Sequence, residues 1–273
     1  MKTNTTKIFI LITLIIGGRF VSARPVKEDI SNNSPASPVK IFLVGDSTVC
    51  DYATDPAYRI RRAGWGTYLQ DYFDPSDVRV VNYALSGRSS KSFTTENNYR
   101  KLLDELRAGD YLFIQFGHND EKTEDPDRGT DASQPIDAEG SFKWFLYNKY
   151  IVPAREKGVY PVLVTPVSRR AKDGGVIDSH RGYDDAVRRL STQAVVPLID
   201  LTQKTEGAFM ALLEQNAPYG ADATAALFAV KKDESGVDNT HFNAKGARLV
   251  CRLAVQGMRE AGLPLVSMMK DKE

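Results

Sequence analysis

A serine hydroxyl becomes a useful nucleophile only when a neighbouring base takes its proton. Histidine, held in the right tautomer by a carboxylate, is the side chain best suited to that task near neutral pH. The chain holds three histidines: His118, His180 and His241. His241 lies in Asp238-Asn239-Thr240-His241-Phe242. An Asp three residues ahead of a His can curl back in one tight turn, accept from one ring nitrogen and leave the other for a hydroxyl. Taken alone, such a pair is more often a half-buried turn than a relay. The matching hydroxyl is Ser47, in Gly45-Asp46-Ser47-Thr48 at the end of an apolar run. Acyl transfer also needs donors for the developing oxyanion. Candidates are the backbone N–H of Ser47, the backbone N–H of Gly87, which can approach closely for want of a side chain, and the side-chain amide of Asn119. Gly and Asn are also ordinary turn residues; it is their joint placement beyond successive apolar runs that points to chemistry.

Those runs are the elements that must position the site. Val39–Val44, Val78–Tyr83, Tyr111–Phe116, Val159–Val164 and Val196–Leu201 are short, apolar and closed by Gly, Pro or polar residues, as buried strands are. Between them, helical spacing predicts helices over Trp65–Phe73, Tyr99–Leu106, Phe142–Lys157, Tyr183–Thr192, Lys204–Gln215 and Ala244–Ala261. Alternating strands and helices predict a three-layer α/β/α domain around a mainly parallel five-stranded sheet. In such sheets ligands bind beyond the carboxyl ends of the strands. Gly45-Asp46-Ser47, Ser86-Gly87-Arg88 and Gly117-His118-Asn119-Asp120 all fall there.

The 273 residues are 42% hydrophobic and 26% charged, with 36 basic against 35 acidic residues. That balance gives no basic face for nucleic acid. Lys2 and Lys7, an apolar run from Ile8 to Ile16 and the small residues of Val21-Ser22-Ala23 have the pattern of a secretory signal peptide, cleaved after Ala23. The run falls short of the roughly 20 apolar residues that span a bilayer, and no Cys follows it to carry a lipid anchor. Expected are a leader over 1–23, a loose lead over 24–38, and one domain over 39–273, exported to a periplasm or beyond the cell, off the membrane and monomeric. Export permits a disulfide between Cys50 and Cys251, but spacing cannot pair them, and buried free thiols are the preferred reading.

No G-x-S-x-G elbow is present, against an α/β-hydrolase, and no G-x-G-x-x-G or Walker pattern, against nucleotide binding. Taken together, Gly45-Asp46-Ser47-Thr48, Gly87, Gly117-His118-Asn119-Asp120 and Asp238-Asn239-Thr240-His241 resemble the four signature blocks of the SGNH (GDSL) hydrolases. Within that family, Gly64-Trp65-Gly66, Asn82-Tyr83-Ala84-Leu85-Ser86-Gly87-Arg88-Ser89-Ser90, Thr165-Pro166-Val167-Ser168-Arg169-Arg170 and Asp238-Asn239-Thr240-His241-Phe242 look like the rhamnogalacturonan acetylesterase branch. The resemblance covers roughly residues 39–262. It implies a flavodoxin-like fold, no cofactor and no metal, and an acetylated polysaccharide or oligosaccharide as partner. It makes Ser47 the nucleophile, His241 the base, Asp238 its orienter, and Ser47, Gly87 and Asn119 the oxyanion donors.

Other residues stay open. Arg88, Arg169 and Arg170 could face a galacturonate carboxylate or serve as structural ion pairs. His118 is a candidate for substrate contact or for a hydrogen-bonding support beside the hole, and His180 is read as structural. Trp65, Tyr83 and Trp144 could stack on sugars, though aromatics at such spacing are more often core. The loop over residues 120–140, rich in Asp, Gly and Pro, could shape the substrate. A lipase, thioesterase or xylan esterase would use the same triad, and polar segments after the strands favour a carbohydrate ester. A carbohydrate-binding protein without turnover would have no use for Ser, His and Asp in this order. A metallophosphatase built on Asp46 and His118-Asn119-Asp120 would need more ligands than the chain offers in range.

Overall fold

The computed structural model describes residues 37–53, 57–171, 176–177, 180, 182–216, 223–232 and 236–270. The expected leader and nearly all of the lead lie outside them. Strand β1 is Val39–Gly45, β2 Tyr58–Ile60, β3 Val78–Asn82, β4 Tyr111–Gln115 and β5 Tyr160–Val164. The short β6 (Arg169–Arg170) and β7 (Val176–Ile177) form an antiparallel pair, and β8 is Leu198–Ile199. β9 (Phe228–Lys231) and β10 (Val237–Phe242) follow. The helices are α1 Asn97–Glu105, α2 Phe142–Phe145, α3 Val152–Glu156, α4 Tyr183–Ala194, α5 Leu201–Asn216 and α6 Ala244–Glu260.

The main sheet is parallel, in the order β3-β1-β4-β5-β8, as the alternating pattern predicts. Its strands are buried on both faces. Ile41, Leu43, Phe113 and Val162 point into one core with Trp65, Phe209 and Val250. Their neighbours Phe42, Leu112, Ile114 and Leu163 point into the other with Leu102, Ile151 and Leu190. This period of two makes three layers from one sheet.

The structure departs from expectation where backbone groups have other uses. Trp65–Tyr72 is a 3₁₀ stretch, not an α-helix. Its start is tied down, since Gly64 N–H donates to Cys50 O and Trp65 N–H to Thr48 O. A Cβ on Gly64 would lie 2.3 Å from the Val49 carbonyl carbon, so only glycine permits that approach. The helix expected over 142–157 is interrupted by a π turn, Leu146–Ile151, between α2 and α3. Pro153 supplies the cause: it has no N–H and its ring crowds the carbonyl four residues back. That carbonyl, on Lys149, accepts instead from the Tyr99 hydroxyl at 2.8 Å. The run over Val196–Leu201 yields only two strand residues before α5 begins. Periodicity also did not foresee a second, antiparallel sheet in the order β10-β9-β2. Among the described residues, no helix is long and apolar enough to cross a membrane. Cys50 and Cys251 are both buried free thiols.

Candidate active site

The register of the main sheet brings the three glycine-bearing strand ends side by side. Gly45 pairs with Gln115 on β4. On the other side, Tyr83 N–H donates to Leu43 O and Leu85 N–H to Gly45 O, so the chain beyond β3 follows β1 to its end. A Cβ at Gly45 would stand 2.6 Å from Gln115 O, which keeps the two strands close where the chain leaves the sheet.

The turn after β1 is fixed from beneath. Asp46 Oδ1 accepts from the Thr48 N–H (2.9 Å) and hydroxyl (2.8 Å). Gln115 Nε2 donates to Thr48 Oγ1 at 2.7 Å, and Trp65 Nε1 donates to Gln115 Oε1 at 2.8 Å. Asp46 Oδ2 meets His118 Nδ1 at 3.2 Å. Trp65 is thus core, committed to this chain of bonds rather than to a sugar. Burial alone would raise the Asp46 carboxyl; the His118 ring and the bonds from Thr48 outweigh it and hold it below the ordinary carboxylate value. This buried network fixes the turn that carries Ser47.

At that place Ser47 Oγ lies 3.0 Å from His241 Nε2, and His241 Nδ1 lies 2.9 Å from Asp238 Oδ2. The Asp238–His241 segment bulges out of the β9–β10 ladder. Its turn closes on Asp238 Oδ1, which accepts from the N–H of Thr240 (2.8 Å) and of His241 (2.9 Å). Burial pushes the Asp238 carboxyl up, but the bond and charge of His241 and the two backbone donors more than offset this and keep it well below its ordinary value. Asn243 then anchors the exit. Its Oδ1 caps α6 by accepting from Lys245 and Gly246 N–H, and its Nδ2 donates to Ala226 O and Phe228 O. Sequence reasoning passed over Asn243, although an Asn directly before a helical run is a start signal.

On the opposite side, Gly87 turns with φ +79°. Nothing stands within 4 Å of where its Cβ would be, so the requirement for glycine there is conformational. Asn119 is buried, and Lys122 Nζ donates to its Oδ1 at 2.9 Å. That bond points the Nδ2 toward the Gly87 loop, where it donates to Arg88 O at 3.0 Å. One of its two N–H groups is left over. Asp120 joins the same two loops: it accepts from Ser90 Oγ (2.5 Å), Ser90 N–H (3.1 Å) and Thr130 Oγ1 (3.1 Å). Burial raises its carboxyl to about 7 in spite of these bonds.

The remaining candidates are spread around this centre. Arg88 pairs with Glu96 (2.7 Å) at the edge of a cleft of about 740 Å³ that opens from Gly87. Asp125, Asp127 and Arg128, from the loop flagged in the sequence, line the same cleft. Arg169 pairs with Glu121 and donates to His118 O, while Arg170 is 8% exposed, so neither presents an open guanidinium as Arg88 does. His118 meets Asp46 rather than the cleft that opens from Gly87. His180 donates from Nε2 to Val167 O (2.8 Å), and burial pushes its pKa down to about 2, a structural neutral ring. Tyr83 stacks on Phe42 and donates to Glu105, and Trp144 is half-buried with Lys149 over its face. Among the described residues, no three His, Cys, Asp or Glu side chains gather closely enough to hold a metal ion.

A serine, a histidine and a carboxylate in hydrogen-bond sequence at the mouth of a parallel sheet define a class of hydrolase. The GDSL-like Lipase/Acylhydrolase family model matches residues 43–249, and the chain belongs to this family. It is 38% identical over 245 residues to the rhamnogalacturonan acetylesterase RhgT of Bacillus subtilis (strain 168), covering 86% of this chain and 96% of that one. It is 34% identical over 234 residues to a probable rhamnogalacturonan acetylesterase, YesY, of the same strain, covering 85% and 98%. The crystal structure of YxiM, also from Bacillus subtilis, superposes with a TM-score of 0.65 at 27% identity, over 84% of this chain and 58% of that one.

Proposed function

We propose that this protein removes O-acetyl groups from rhamnogalacturonan, a pectic polysaccharide, by a two-step acyl transfer. The observation that carries the chemistry is the unbroken line Ser47 Oγ–His241 Nε2 (3.0 Å) and His241 Nδ1–Asp238 Oδ2 (2.9 Å). His241 takes the Ser47 proton as Oγ bonds to the acetyl carbonyl carbon. The negative charge on the carbonyl oxygen is met by the N–H groups of Ser47 and Gly87 and by the remaining N–H of Asn119. The sugar oxygen leaves with the proton from His241, and an acetyl-serine remains. Water, losing a proton to His241, then attacks that ester; acetate departs and Ser47 recovers its proton. Asp238 stays ionised throughout and holds the ring tautomer.

The substrate reading is supported by the relatives named rhamnogalacturonan acetylesterase and by the cleft beside Gly87, whose lining includes the charged side chains of Arg88, Lys91, Asp125 and Asp127. The enzyme works as one catalytic domain over 39–273, exported after loss of the leader at Ala23. Acetate release should be measured on acetylated rhamnogalacturonan, acetylated homogalacturonan and acetylated xylan. Release is expected to be fastest from rhamnogalacturonan. Release from xylan alone would overturn the substrate and leave the chemistry standing.

A further inference from the structure

Three side chains from the segment between β1 and the 3₁₀ stretch reach both ends of the triad. Tyr58, on β2, is buried and donates from its hydroxyl to Asp238 Oδ2 at 3.0 Å, across 180 residues of sequence. That oxygen is the one His241 Nδ1 uses. The Tyr58 ring also stands edge-on to the His241 ring, with centroids 6.5 Å apart. Tyr52 donates from its hydroxyl to the carbonyl oxygen of Ser47 at 3.0 Å. Between the two tyrosines sits Arg62, its guanidinium carbon 4.6 Å from the Tyr52 ring centre and 4.5 Å from that of Tyr58. Arg62 is followed by Ala63, whose N–H donates to Phe242 O, next to His241.

We infer that Tyr58, Arg62 and Tyr52 form a brace that positions the triad, with Tyr58 as the residue that aims and tempers Asp238. This rests on Ser47, His241 and Asp238 acting as proposed above. The brace resolves a problem of assembly. Ser47 belongs to the main parallel sheet, whereas Asp238 and His241 belong to the antiparallel sheet. A 3.0 Å bond between groups on two sheets needs something that grips both. Arg62 gives that grip: a guanidinium is planar, so each of its faces can lie on a tyrosine ring. Tyr58 adds a chemical effect. A carboxylate oxygen that accepts from a phenol as well as an imidazole offers less charge to the imidazole. Tyr58 therefore draws charge on Asp238 Oδ2 away from the bond to His241 Nδ1.

The test is steady-state kinetics on p-nitrophenyl acetate across pH for the wild type, Tyr58→Phe, Arg62→Ala, Arg62→Lys and Ser47→Ala, each with its melting temperature. Tyr58→Phe keeps the ring and removes the donor. It is expected to lower kcat about threefold to tenfold with KM within twofold, and to move the acid limb of kcat/KM up by about half a pH unit, a fraction of what one hydrogen bond to a charged group is worth. The groups facing His241 are Asp238 on its own strand, Ser47 from the turn after β1 and Tyr58 from β2, so the limb reports on that set. Arg62→Ala is expected to lower kcat about threefold without moving the limb, and Arg62→Lys to restore part of the loss. Wild-type kcat and an unmoved limb in Tyr58→Phe would overturn the inference. Wild-type kcat in Arg62→Ala would overturn the brace while sparing Tyr58. Should Ser47→Ala keep full activity, the underlying triad falls instead, whatever the tyrosine variants do.

Discussion

Two carboxylates flank the same site and are driven in opposite directions. Asp238 accepts from His241, Tyr58 and two backbone N–H groups, and it is held below its ordinary value. Asp120 accepts from Ser90 and Thr130, has no cation bonded to it among the described residues, and is raised to about 7. Burial acts on both; what differs is that Asp238 also accepts from the His241 ring. In the proposed mechanism the Asp238 side handles protons and stays charged. The Asp120 side holds loops, where a protonated acid serves at no electrostatic cost.

The largest effects lie on the Asp238 side. Ser47→Ala or His241→Ala is expected to lower kcat for acetyl ester hydrolysis by about 10⁴-fold or more with the fold intact, as members of such a unit do. Asp238→Asn should keep the geometry and stabilise the wrong His241 tautomer, at a cost of about 10³–10⁴ in kcat. Activity within tenfold of wild type in Asp238→Asn would erase the contrast between the two acids. On the opposite wall, Asn119→Ala should cost about 10²–10³ in kcat and leave KM nearly unchanged. A loss confined to KM would make Asn119 a binding group instead.

Smaller, and sharper, is the pH dependence of stability. Asp238 has a lowered folded value, so its contribution is present above the ordinary 3.8 and is lost as pH falls below it. Asp120 has a raised folded value, so its contribution is full below 3.8 and is lost as pH rises through about 7. The two therefore bound stability from opposite sides. Asp120→Asn is expected to flatten the decline of the melting temperature between about pH 4 and 7, and Asp238→Asn the decline on the acid side. Parallel curves for wild type and Asp120→Asn would show that Asp120 is ionised throughout. Smallest of all, Asn243→Ala should cost about 1 kcal/mol through the lost cap of α6, read as a fall of about 2–4 °C in melting temperature.

The sequence carried the main sheet well, because its strands are buried on both faces and read as continuous apolar runs. It also carried Ser47, Gly87, Asn119, Asp238 and His241, since strand ends and turns place such residues in a predictable region. It carried the small sheet poorly. β2 is three residues long, and β10 is a strand broken by the Asp238–His241 bulge, so neither shows a period to detect. Tyr52, Tyr58 and Arg62 were invisible for the same reason. Nothing in Tyr58-Arg59-Ile60 announces that its first residue meets a carboxylate 180 positions away. The arginines stayed open between a substrate contact and an ion pair because sequence does not show partners; the structure pairs Arg169 with the buried Glu121.

The division of the triad between two sheets has a consequence for how the protein ages under stress. The parallel sheet is large and clad on both faces, whereas the β10-β9-β2 sheet that carries Asp238 and His241 is small. Local opening of the lesser sheet is the cheaper event. Warm storage or mild urea will thus separate His241 from Ser47 while circular dichroism still reports an intact fold. Esterase activity becomes the early gauge of damage, and shelf life is decided at the seam between the sheets and not in the core.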